Sequence, residues 1–329
     1  MTKVAVLNVN SFARAYPEHL LELQEKVGKV ERFTVDPLVN ESDLAAIIGD
    51  SEYIIMGTSP VMNKAFFNMQ KKIRLITRHG IGFNHIDVQA AADKGIYVCK
   101  MDGIIERDAV AEQALSLLTV CAKRLVLANE MVHNRQWTIE RSRLMGVQLT
   151  RKVTGVIGLG NIGTRFAEIM HKGFQNHILV YDPFKSKEEI EDFGYFKVSL
   201  ETLLQESDFI SLHCNLTEDN RFLLNQSNLS LIRKSAILIN TARGGLIDED
   251  ALAELLSKQE IGFYGADVSR EEPMNHSHPL LHVSNAVFSP HVGVYNEQCI
   301  REMDQKVMED IYLMEQGMKP RVIVNEASR

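Results

Sequence analysis

Near the middle of this 329-residue chain an apolar run breaks into glycines. Residues 152–163 read KVTGVIGLGNIG, placing Gly158, Gly160 and Gly163 in a G-x-G-x-x-G pattern. A strand that must turn sharply into a helix constrains the fold more than any composition figure. The first glycine permits the turn, the second lets the backbone approach a pyrophosphate, and the third lets the helix pack closely on its strand. The following TRFAEIMHKGF has a helical pattern, and Asp182 comes nineteen positions after Gly163, closing the apolar run HILVYD. A Gly-rich turn alone is common. A strand before it, a helix after it and an acid at ribose distance make it specific for a dinucleotide.

About 150 residues precede this unit, and a chain of this length implies about two domains. Apolar runs alternate with helical patterns along most of the sequence, the signature of an α/β fold with parallel strands. Strands are expected at VAVLNV, EYIIMG, IRLITR and IYVCK in the first hundred residues, with helices at PEHLLELQEKV and ESDLAAIIGD between them. After the fingerprint come DFISLHC, SAILINTA, GFYGADV and AVFSPHV. DEDALAELLSKQ reads as a helix capped by Asp248, with Glu249 or Asp250 in its first turn favouring the helix dipole. The segment 108–131 reads as one long helix that is apolar around most of its surface, buried against the sheet, against a second subunit, or both. NEQCIREMDQKVMEDIYLMEQG predicts an amphipathic helix, and the extended tail PRVIVNEASR is expected to pack back on the N-terminal domain. That makes the first domain discontinuous, with crossings near residues 100 and 290.

The composition is that of a globular protein, 45% hydrophobic and 24% charged. A net charge of −7 argues against broad nucleic-acid or anionic-membrane binding. No apolar stretch approaches the roughly 18–20 residues that span a bilayer. The N-terminus reads as a first strand rather than a signal peptide. Cys99, Cys121, Cys214 and Cys299 are scattered, which fits reduced thiols in the cytoplasm better than disulfides or a zinc site, and no metal is expected.

Three polar clusters sit where strands should end, the place where ligands bind in open α/β sheets. Arg243 follows AILIN and precedes two glycines; its guanidinium could hold a carboxylate through two parallel hydrogen bonds, or form an ion pair at the strand end. Glu272 precedes Pro273 in an acidic loop and could orient a histidine, although charged loops are usually just solvated. His291, after AVFSP, is the side-chain type best suited to move a proton near neutral pH. His276, His278 and His282 lack metal-site spacing and read as surface residues.

Taken in order, RHGIGFNHID (78–87), VAEQALSLL (110–118), GLGNIG, LHCNLT (212–217), INTARGGLID (239–248), the EEP at 271–273 and SPHVGV (289–294) resemble the D-isomer-specific 2-hydroxyacid dehydrogenase family across nearly the whole chain. The resemblance implies two Rossmann-like α/β domains. A central NAD-binding domain, 102–290, would be inserted into a discontinuous flavodoxin-like substrate domain, 1–101 and 291–329. It implies a catalytic trio of Arg243 on the substrate carboxylate and 2-oxo group, His291 as general acid/base, and Glu272 paired with it. NAD contacts are implied at Gly158, Leu159, Gly160, Asn161, Ile162 and Gly163. Others fall at Asp182, His213, Cys214, Asn215, Thr241, Ala242 and Asp267. Asp182, on the adenosine ribose, favours NAD over NADP. Substrate contacts are implied at Ile81, Gly82, Arg243 and Tyr295, with a cleft between the domains bringing them together. A homodimer through the NAD domain is expected.

Asn215 stands where many members carry Pro, and Gln113 where many carry His; neither change removes a catalytic group. Tyr295 resembles the lactate branch, whereas RHGIGFNHID and TARGGLID resemble the glycerate and phosphoglycerate branches. The expected activity is reversible hydride transfer between NADH and a small 2-oxo acid such as pyruvate or hydroxypyruvate, with a phosphorylated acid as an alternative. The competing class is an NAD(H)-sensing corepressor on the same fold.

Overall fold

The computed structural model describes residues 2–137 and 141–325, so the last four residues of the expected tail lie outside it. The chain packs as two units, one formed by residues 1–106 with 294–329 and the other by 107–293. These divisions fall five and three residues later than the sequence-read boundaries at 101/102 and 290/291, which leaves His291 within the second unit.

The first unit holds five parallel strands: β1 (Thr2–Leu7), β2 (Gly28–Phe33), β3 (Tyr53–Met56), β4 (Leu75–Arg78) and β5 (Tyr97–Cys99). Their order, β2-β1-β3-β4-β5, is that of the flavodoxin-like sheet. β3 and β4 are buried at every position, which is why they read as unbroken apolar runs. β2, GKVERF, was not expected. It lies at the sheet edge with its residues only partly covered, so it carries no apolar run. The helix Glu297–Glu315 starts at Asn296, whose side chain accepts from the Cys299 amide at 2.9 Å. It buries Met303, Val307 and Ile311 and packs on β4, where the Thr77 hydroxyl donates to Asp310 at 2.6 Å. The tail then returns to β5: Ile323 bridges Cys99 in antiparallel fashion, and the Asn325 side chain accepts from the Val98 amide at 2.9 Å.

Seven parallel strands form the second unit: β6 (Val153–Ile157), β7 (His177–Tyr181), β8 (Phe196–Lys197), β9 (Phe209–Leu212), β10 (Ile237–Asn240), β11 (Phe263–Ala266) and β12 (Ala286–Phe288). The order β12-β11-β10-β9-β6-β7-β8 is the doubly wound dinucleotide-binding arrangement with one additional strand, and the strand order reverses between β6 and β9. The two-residue β8 was not expected from sequence.

The expected long helix over 108–131 is two helices, Arg107–Lys123 and Leu125–His133, broken at Arg124 in the left-handed conformation (φ 50°, ψ 39°). The break has a tertiary cause. Arg124 donates to the Arg143 carbonyl at 3.1 Å and lies over the Phe263 ring at 5.1 Å, contacts that a straight helix would not present. Leu117, Leu118 and Cys121 of the first piece pack in the core with Val156, Ile237 and Ile239. Leu125, Val126 and Val132 of the second are exposed.

Candidate active site

The sheet's reversal point puts the fingerprint and the loop after β9 side by side. Gly158 has φ 89°, and a Cβ on it would lie 2.8 Å from the Cys214 amide nitrogen, so turn and close approach both require glycine. Gly160 is the N-cap of the helix Asn161–Glu168 and offers no side-chain cap to its first amides. A Cβ built on Gly160 would meet nothing within 4 Å, which leaves an open approach to a helix N-terminus suited to a diphosphate. Asp182, buried after β7, accepts from the Leu159 amide at 2.8 Å and the Phe184 amide at 2.9 Å. A carboxylate has about four acceptor positions, so a ribose diol can share it.

His213 donates or accepts at Nε2 with the Ser211 hydroxyl at 2.9 Å. Burial holds its pKa down to about 3, so the ring is neutral throughout the working range. Burial first, and then the Asp182 charge, push the Cys214 thiol up to about 11, which makes it a poor nucleophile. Among the described residues His213 Nδ1 and Thr241 Oγ1 are buried without a hydrogen-bond partner in the polypeptide. Both lie just past strand ends on this edge, and orphaned polar atoms there fit a site shaped for a polar ligand. Asn215 is exposed, and its carbonyl accepts from Asn220 at 2.7 Å.

Arg243, Glu272 and His291 all follow strands of this sheet. His291 Nδ1 lies 2.6 Å from Glu272 Oε2. Burial acts to raise the Glu272 carboxyl, but the His291 bond and charge, the Ser269 amide and the Arg243 charge together hold it below the usual range. Arg243 caps a short 3-10 turn after β10 and donates to the Ala242 carbonyl at 2.6 Å, while Asn240 donates to the Arg243 carbonyl at 2.9 Å. These bonds fix the Arg243 backbone and tie one guanidinium nitrogen; a guanidinium carries further N–H donors in a planar fork suited to a planar anion.

His291 has φ 54°, a conformation uncommon for a side chain of its size. Asp267 enforces it: its carbonyl accepts from the His291 amide at 2.8 Å. Its carboxylate accepts from the Ser289 hydroxyl at 2.5 Å, the Val292 amide at 3.0 Å and the Gly293 amide at 2.7 Å. Gln113 joins the same turn by donating to Ser289 at 2.8 Å.

Ile81, Gly82 and Tyr295 belong to the first unit. The loop holding the first two is shaped by Arg78, the first residue of the RHGIGFNHID segment. Buried at the end of β4, it donates to the Gly82 carbonyl at 2.6 Å and to the carbonyls of Met56 and Gly57. Tyr295 is exposed.

A second expectation is overturned. His278, read as a surface residue with its neighbours, is buried and lies 3.0 Å from Glu249, whereas His276 and His282 are exposed. Glu249 itself turns inward instead of facing solvent at the helix start. No local signal marks this pair, because its partners are twenty-nine residues apart. Among the described residues no cluster of His, Cys, Asp and Glu could hold a metal, and no helix is long and apolar enough to cross a membrane.

A doubly wound parallel sheet with G-x-G-x-x-G at its reversal point, beside a histidine–carboxylate pair at the next strand ends, defines a nucleotide-binding oxidoreductase unit. Residues 115–293 match the model of the D-isomer specific 2-hydroxyacid dehydrogenase NAD-binding domain. The chain is 35% identical over 259 residues to a glyoxylate reductase of Aeropyrum pernix, covering 77% of each protein. It is 34% identical to a hydroxypyruvate reductase of Thermotoga maritima, covering 87% of this chain and 92% of that one. Its structure is similar to apo D-lactate dehydrogenase from Escherichia coli, with a TM-score of 0.82 and 29% identity over 98% of this chain and all of that one. The chain belongs to the D-isomer-specific 2-hydroxyacid dehydrogenase family. It is an NAD-dependent oxidoreductase acting on the CH–OH group of 2-hydroxy acids.

Proposed function

We propose that the chain reduces a small, unphosphorylated 2-oxo acid of the pyruvate, glyoxylate or hydroxypyruvate type to the D-2-hydroxy acid, with His291 as general acid. The observation that carries this reading is the 2.6 Å contact between His291 Nδ1 and Glu272. Bonding Nδ1–H to a carboxylate fixes the ring's tautomer and leaves Nε2 as the nitrogen that exchanges a proton with the substrate oxygen. Bound NADH supplies the hydride at the carbonyl carbon. Arg243 binds the carboxylate and offsets charge growing on the oxygen, and in the reverse direction neutral His291 takes the hydroxyl proton.

The fingerprint residues, Asp182, His213 to Asn215, Thr241, Ala242 and Asp267 are assigned to the cofactor. Ile81, Gly82 and Tyr295 are assigned to the substrate by resemblance. A homodimer through the NAD-binding unit accounts for the exposed Leu125, Val126 and Val132, and light scattering that returns a monomer rules it out. A cytoplasmic location fits the four free thiols.

The test is NADH oxidation with glyoxylate, hydroxypyruvate, pyruvate, phenylpyruvate and phosphohydroxypyruvate. Turnover is expected on at least one of the first three. Activity confined to phosphohydroxypyruvate overturns the substrate class, and activity on none overturns the reading.

A further inference from the structure

Glu249 and His278 stand outside the trio, yet they reach it through one residue, Ser269, and the peptides on either side of it. Asp248 already caps the helix Glu249–Ser257 by accepting from the Ala251 amide at 3.2 Å, so the next carboxylate is not needed there. Glu249 instead turns inward and is fully buried. Its Oε1 accepts from the Arg270 amide at 3.0 Å; its Oε2 takes the Ser269 hydroxyl at 3.2 Å and lies 3.0 Å from His278 Nε2. The Leu280 amide donates to His278 Nδ1 at 3.3 Å, so that nitrogen carries no proton and Nε2–H is the donor to Glu249. A buried carboxylate accepting three such bonds is satisfied and rigid.

The 269–270 peptide it grips also lies hard against Gly244. A Cβ on Gly244, next to Arg243, would lie 2.0 Å from the Ser269 carbonyl carbon and 2.1 Å from the Arg270 nitrogen. One Cα away, on the preceding 268–269 peptide, the Ser269 amide donates to Glu272 Oε1 at 3.1 Å, and Glu272 Oε2 holds His291. The two peptides joined at Ser269 therefore register the Arg243 turn, the Glu272 carboxylate and, through it, the imidazole.

We propose that Glu249, seated by His278, is the positioning residue of the His291–Glu272 pair: it clamps the 269–270 peptide against Gly244 so that Glu272 reaches His291 at bonding distance. This rests on the role given to His291 above. The charged and titratable groups that reach Glu272 are His291 and Arg243. Those that reach Glu249 are His278 and the buried phenol of Tyr264, while the Arg270 guanidinium is engaged with Asp250 at 3.1 Å. Loosening the clamp withdraws the Ser269 amide from Glu272 and lengthens its bond to His291, removing contacts that keep its carboxyl low.

The experiment follows the Glu272 carboxyl carbon by NMR in the full-length protein labelled with 13C-glutamate, the signal being assigned by its loss in Glu272→Gln. In Glu249→Gln the Glu272 titration is expected to move up toward the ordinary carboxylate range. Turnover on the active 2-oxo acid should fall about tenfold, and the NADH Kd should stay within about twofold of wild type. His278→Gln, whose amide nitrogen can stand where Nε2 does, should keep most of the wild-type behaviour, and His278→Leu should lose it. A folded, NADH-binding Glu249→Gln with an unmoved Glu272 titration overturns the proposal. Should that variant fail to fold, Ser269→Ala carries the test: it deletes one donor to Glu249 and keeps the Ser269 amide, and an unmoved titration there overturns the proposal equally. The titration needs no substrate, so a wild-type protein inactive on every 2-oxo acid would sink the functional reading while leaving the clamp testable.

Discussion

Among the described residues of the NAD-binding unit two histidine–glutamate pairs are built from the same residue types at similar separations, 2.6 Å for His291–Glu272 and 3.0 Å for His278–Glu249. They differ in water. The side chains of the first pair are 36% and 39% exposed, those of the second 5% and 0%. In the proposed function this exposure is what lets the first pair trade protons with a substrate; its Glu272 is held low because ionic and hydrogen-bonding partners outweigh burial. In the second pair burial wins: desolvation pushes Glu249 up, and the Arg270 amide, His278 and the Ser269 hydroxyl offset only part of it. In the roles proposed above, the same two residue types serve as a proton-transfer device in one place and as a structural clamp in another.

Exchanging the roles of the two histidines breaks this comparison most directly. His291→Ala is expected to lower turnover by about two to four orders of magnitude with stability changed by less than about 1 kcal/mol. His278→Leu, which strands a buried carboxylate, is expected to cost about 3 kcal/mol of unfolding free energy and only about tenfold in turnover. Chemical denaturation and steady-state assays on both variants check the crossed pattern. A His278→Leu protein as stable as wild type would remove the distinction.

A smaller effect sharpens the comparison by sign. Glu272 has a folded-state pKa below its unfolded value. Its contribution to stability is present above the unfolded pKa of about 4.5 and is lost as pH falls through the folded value. Glu249 is the reverse: its contribution is fully present below about 4.5 and is lost as pH rises through its elevated folded value. Over a pH range spanning about 4.5, the stability gap between wild type and Glu272→Gln should widen with rising pH below about 4.5, and the gap for Glu249→Gln should narrow with rising pH above it. Thermal melts across that range read both slopes, and parallel slopes would contradict the assignment.

How much was legible follows the same division between local and distant causes. β3, β4, β9 and β10 are buried at every position, so their apolar runs announce them. β2 and β8 sit at sheet edges, half in water, and leave no such trace. The fingerprint was readable because Gly158 must adopt φ 89° within its own turn. Arg243, Glu272 and His291 stood at strand ends, where side chains of those types point to chemistry, but only the resemblance joined them into a trio. The break at Arg124 and the burial of His278 left no mark, since each depends on partners far along the chain, Phe263 and Glu249.

By itself the sequence determined what backbone sterics and periodic burial dictate over a few residues: alternating strands and helices, a phosphate-binding turn in mid-chain, and acid and base groups at strand ends. Tertiary structure decided which of two chemically identical pairs meets water. Desolvation is set by everything packed around a group, and the residues that bury Glu249 arrive from three separate segments of the chain, at 269–270, 278 and 264.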